Sequence, residues 1–71
     1  MDISDKVRVI SDNECYDNFR DLTLIIIHKA TNTYQHPGYD ESMGGMPLFD
    51  FKGEHGEDIP CSLYEYEIEE V

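Results

Sequence analysis

The chain has 71 residues, and its 16 Asp and Glu against 5 Lys and Arg give a formal net charge of −11. That length holds one domain over residues 1–71, and the acidity excludes bare nucleic acid and anionic membrane as partners, because a phosphate surface needs a basic footprint. The longest apolar run, Leu24-Ile25-Ile26-Ile27, is four residues against the ~20 a membrane span needs, and the start, Met1-Asp2-Ile3-Ser4-Asp5, lacks the basic and apolar stretches of a signal peptide, so a cytoplasmic protein is expected.

Residues 6–10 (Lys-Val-Arg-Val-Ile) alternate polar and apolar and predict a strand with Val7 and Val9 facing in. Residues 11–21 break that pattern. Asp12-Asn13 is a turn signal, and Cys15, Tyr16 and Phe19 dot an irregular excursion with room for one helical turn near 16–20. Residues 22–31 predict the strongest element. The run Leu24-Ile25-Ile26-Ile27 is rich in β-branched side chains and apolar on both faces, as in a central strand covered on both sides.

Residues 32–46 carry Pro37-Gly38 and Gly44-Gly45 and end against Pro47, which marks a loop. It is longer than a usual connection, and Tyr34, His36, Tyr39, Met43 and Met46 make it too adhesive for a linker. Such a loop either folds over the core or is reserved for binding. Residues 48–52 alternate again, with Phe49 and Phe51 on one face and Asp50 and Lys52 on the other. Residues 53–56 (Gly-Glu-His-Gly) predict a tight turn. A strand resumes near Ile59, irregular because Pro60 donates no ladder bond. The end, Tyr64-Glu65-Tyr66-Glu67-Ile68-Glu69, alternates strictly and predicts a strand with Tyr64, Tyr66 and Ile68 inward and the three glutamates outward.

This order of elements resembles the SH3-like barrel. The strand at 6–10 leads into a long first loop, and the strand at 22–31 into a second. The strand at 48–52, a hairpin at 53–56 and a strand at 58–61 follow. Ser62-Leu63-Tyr64 sits where that fold often places a short 3₁₀ turn before its last strand. The resemblance implies an all-β protein, a small five-stranded SH3-like barrel, mostly antiparallel, with two long loops. The segments His36-Pro-Gly-Tyr-Asp-Glu-Ser and Ser62-Leu-Tyr-Glu-Tyr-Glu-Ile-Glu also resemble small uncharacterised proteins of gut Bacteroides and their phages or mobile elements, a group that carries no function over. The chain has no Trp, so the resemblance does not extend to proline-rich peptide binding.

Cys15 and Cys61 are too few for a disulfide framework and are expected as reduced, semi-buried thiols. The candidate metal ligands Cys15, Cys61, His28, His36 and His55 contain no closely spaced motif. Asp40-Glu41-Ser42 is too short for a calcium loop, and Gly44-Gly45 has no lysine to make a phosphate loop. No catalytic residue, metal or cofactor is therefore expected.

Charge is uneven. Residues 1–39 hold six acids and four bases, a balance of −2, whereas residues 40–71 hold ten acids and Lys52 alone, a balance of −9. The expected function is that of a small, acidic, non-enzymatic, monomeric interaction domain. It would bind an unidentified protein through the 32–46 loop, using Tyr34, His36, Tyr39, Met43 and Met46 with Tyr16 and Phe19 of the first loop. The alternative is an acidic DNA mimic of phage or mobile-element type. It would occupy the groove of a basic nucleic-acid-binding protein with Asp58, Glu65, Glu67 and Glu69, the last three repeating every ~6.6–7 Å along a strand.

Overall fold

A computed structural model describes residues 1–71. Five strands, β1 (Lys6–Val9), β2 (Leu24–Ala30), β3 (Leu48–Gly53), β4 (Leu63–Tyr64) and β5 (Ile68–Glu70), are joined with 3₁₀ turns at Glu14–Phe19, Glu41–Met43 and Glu65–Glu67. They form one antiparallel sheet in the order β4-β3-β2-β1-β5. The protein is thus all-β, and β2 is its central strand, but it is not covered on both sides as its apolar run predicts: Ile25 is half-buried and Ile27 is 49% exposed. No helix is long and apolar enough to cross a membrane.

In β1 the alternation holds. Val7 and Val9 are buried, while Lys6 and Arg8 lie at solvent, paired with Glu54 and Glu69. Leu24 and Ile26 of β2, Phe49 and Phe51 of β3, Leu63 of β4 and Ile68 of β5 complete the main cluster with Ile59. Phe49 is fully buried, so Phe49→Ala costs ~3–5 kcal/mol by the usual scale for emptied aromatic sites.

The first loop is bound to this cluster. Asn13 caps its 3₁₀ turn by accepting from Cys15 N at 3.0 Å, and Tyr16, Phe19 and Leu22 pack on the core. Arg20 clamps the loop from within, donating to Asp17 and to the carbonyls of Ser11 and Asn13.

β2 carries a β-bulge. Ile26 faces Phe51 and His28 faces Asp50, so Ile27 has no cross-strand partner. The extra residue switches faces. Leu24 and Ile26 point into the core, but His28 and Ala30 pair with Asp50 and Leu48, on the sheet's other side.

The turn after β3 closes with Gly53 N donating to Glu57 O at 2.8 Å and Gly56 N to Gly53 O at 3.0 Å. Gly53 suits this position, since a Cβ there would lie 2.7 Å from Glu57 Cβ. Past the turn the chain departs from expectation. A strand at 58–61 does not form. Asp58 makes one isolated bridge to Lys52, and pairing resumes only at Leu63. Between those points two residues of β3 lie opposite four of the returning chain, with Pro60 at their centre, unable to donate.

The predicted continuous strand at 64–69 is also replaced. Its first residue belongs to β4, Glu65–Glu67 form a 3₁₀ turn and β5 starts at Ile68. That turn falls after, not at, Ser62-Leu63-Tyr64. Three residues per turn break the two-residue alternation, so Tyr66 is 61% exposed and Glu67 only 7%.

β4 and β5 are the two edges of the sheet, and no ladder joins them. Four strand spacings would hold the edges of a flat sheet about 19 Å apart, yet the 3₁₀ turn linking them advances only about 8 Å. The sheet is therefore curled, with the core cluster on its concave face.

Candidate functional site

The convex side of β2, β3 and β4 is covered at one end by the 32–46 loop. Ala30, Leu48 and Tyr64 are cross-strand neighbours on that side. Ala30, Leu48 and Tyr39 are buried but belong to no part of the main cluster. They make a second, smaller apolar layer beneath the loop. Tyr39, 4% exposed, sets its ring edge-on against Tyr64 with centroids 5.7 Å apart and donates its hydroxyl hydrogen to Met46 O at 2.9 Å. Asp40 N donates to the Tyr64 hydroxyl at 2.8 Å.

His36 is the second fastening. Its Nδ1 accepts from Gly38 N at 2.9 Å, so in the neutral ring the proton sits on Nε2. Nε2 lies 3.1 Å from Ser62 Oγ and 3.3 Å from Asp50 Oδ1. Ser62 donates to the same Asp50 oxygen, and His28 Nδ1 lies 3.3 Å from the other, Oδ2. Asp50 thereby joins β2, β3, the segment before β4 and the loop. Burial pushes the Asp50 carboxyl up, but the Ser62 hydrogen bond and the charge and hydrogen bonds of His36 and His28 outweigh it and hold the group below the usual carboxylate range.

The loop itself is cross-tied. Thr31 donates through N and Oγ1 to Gln35 Oε1 at 2.7 and 3.1 Å. Thr33 donates through N and Oγ1 to Glu41 Oε1 at 3.0 and 2.8 Å. Asp40 caps the Glu41–Met43 turn by accepting from Ser42 N at 2.9 Å, and Gly44 closes it at a φ of 67°. Between the tied residues Thr33 and Gln35 stands Tyr34, 98% exposed.

The expected contact residues therefore divide. Tyr34 is open to solvent, and Met43 and Met46 are half-buried. Tyr39 and His36 point inward, so neither offers a partner the surface assigned to it; they fasten the loop because the convex face beneath supplies an apolar layer and a carboxylate. Tyr16 and Phe19 are half-buried against the core. The thiols are free, with Cys61 half-buried but Cys15 exposed rather than semi-buried. Burial pushes the Cys61 thiol up.

The acidic row does not form. Asp58 and Glu65 are exposed, but Glu69 pairs with Arg8, and Glu67 turns inward, accepting from Tyr64 N at 3.0 Å. Burial, then the nearby Glu67 carboxylate, pushes the Tyr16 phenol up to about 12.

His28, Asp50, Ser62 and the pair Tyr64–Tyr66 were not among the expected site residues. The bulge hides His28, whose even spacing from Leu24 and Ile26 places it on the core face. Asp50 was readable as outward-facing, but nothing in sequence marked the loop histidine that reaches it. The site is an open surface without a pocket. Comparisons with protein-family models, with curated proteins and with solved structures gave no match.

Proposed function

We propose that the chain is a single, monomeric, cytoplasmic, non-enzymatic protein-interaction domain that binds a protein partner through the outer side of the 32–46 loop. Its curled sheet is read as an SH3-like barrel. The strand order, the two long early loops, the tight turn after β3 and the 3₁₀ turn between the last two strands support that reading. A phage or mobile-element setting follows from the resemblance to small Bacteroides proteins.

One observation carries the functional reading. Tyr34 is 98% exposed on a segment whose neighbours are hydrogen-bonded on both sides. An aromatic side chain left in water gains more from a partner than a polar one. Ordering the loop beforehand removes much of the entropy cost of association. Aromatic anchors of this kind are frequent hot spots, with truncation often costing ≥ ~2 kcal/mol. Met43 and Met46, half-buried in the same loop, supply adaptable apolar surface.

The test compares tagged wild type, Tyr34→Ala and Asp58→Asn as baits in extract of the native host. Tyr34→Ala keeps the wild-type melting temperature and loses at least one protein that both other baits retain. Identical captured sets from all three baits would refute the loop as the interface.

A further inference from the structure

Tyr64 and Tyr66 stack with ring centroids 6.4 Å apart and planes 12° from parallel. Tyr64 is fixed from behind by Tyr39 and by the amide of Asp40. Tyr66 thus has one face toward Tyr64 and is 61% exposed. Two exposed acids accompany the pair: Glu65 stands between the rings in sequence, and Asp40 meets the Tyr64 hydroxyl through its backbone amide while its carboxylate Oδ1 accepts from Ser42 N and Oγ. Neither has a cationic partner, whereas Lys6, Arg8 and Arg20 are each already paired with carboxylates elsewhere.

We infer that the Tyr64–Tyr66 stack, with Glu65 and Asp40, is a docking surface for an arginine-bearing basic segment of a partner protein. A guanidinium is planar, stacks on an aromatic face and pairs with carboxylates, so it uses both halves of this surface at once. Charge selects the occupant. A net charge of −11 repels a second copy of the chain, nucleic acid and acidic proteins alike. The stack itself belongs to β4 and the turn after it rather than to the 32–46 loop, so Tyr66→Ala and Tyr34→Ala test the two surfaces separately.

The probe is a fluorescein-labelled, unstructured peptide with three arginines spaced by Gly-Ser, followed by anisotropy at about 20 mM and about 150 mM salt. Wild type binds it, and the version with glutamine for arginine does not bind. Tyr66→Ala weakens binding about threefold or more, and Tyr66→Phe keeps most of it. Glu65→Gln and Asp58→Asn remove the same charge, but Asp58 is bridged through its backbone to Lys52, four residues along β3 from the Leu48 opposite Tyr64. Glu65→Gln weakens binding and Asp58→Asn does not. Tyr34→Ala leaves it unchanged. Absence of binding, equal affinity for Tyr66→Ala and wild type, or equal losses in Glu65→Gln and Asp58→Asn would each overturn the inference. If Tyr66→Ala does not fold, the two charge variants decide.

Discussion

Glu67 joins three segments of the chain. Its carboxylate accepts from the Tyr64 amide and lies near the Tyr16 phenol, and its carbonyl accepts from the amides of Ile10 and Ser11. A buried acceptor removed from its donors leaves them unsatisfied. Glu67→Ala is therefore expected to lower stability by ~1–3 kcal/mol in urea unfolding. A surface glutamate would give almost none. The phenol reports the same contact. Ultraviolet titration of wild type minus Tyr16→Phe isolates one tyrosine ionising near pH 12, against an ordinary 10, and Glu67→Gln moves it down. Because the folded value is the raised one, Tyr16's contribution to stability is complete below pH 10 and is lost as pH climbs toward 12. This role was not legible in the sequence. Tyr-Glu-Tyr-Glu satisfies a strand's alternation, and what overrides it is a 3₁₀ turn capped from a residue three positions on.

At the scale of elements, the strands with clean signals were legible. Val7 and Val9, the strand character and central place of β2 and the Phe49–Phe51 pair each read correctly, because two-residue alternation and side-chain branching are local properties, whereas the covered second face expected of β2 does not form at Ile27. The fastening of the second loop was not, since it depends on a bulge that moves His28 to the convex face and on a serine beyond an irregular turn. Asp50 makes this fastening sensitive to acid. Its folded carboxyl titrates below its ordinary range, so its contribution is complete above that range and disappears as pH falls through the lowered value. Protection of the 32–46 amides, measured against their intrinsic exchange rate at each pH, should fall in that acid window in wild type. In Asp50→Asn the loop should exchange faster already at neutral pH, with the acid step removed. Equal neutral-pH exchange in the two proteins would dissociate Asp50 from the loop.

Across the whole molecule, sign and order are distributed unevenly. Arg8 and Arg20 are spent on Glu69 and Asp17, and the N-terminal amine on Glu70. The exposed acids Asp40, Glu41 and Glu65, around the loop and the tyrosine stack, have no such partners. Exposed pairs contribute ~0–1 kcal/mol each, so this arrangement shapes the surface potential more than the stability. Its own cross-ties make the 32–46 loop an ordered surface presenting Tyr34, not a mobile connection. Backbone ¹⁵N relaxation measures this directly. Order parameters near 0.85 at Thr33, Tyr34 and Gln35, matching the strands, are the predicted result, and values below about 0.6 would contradict it.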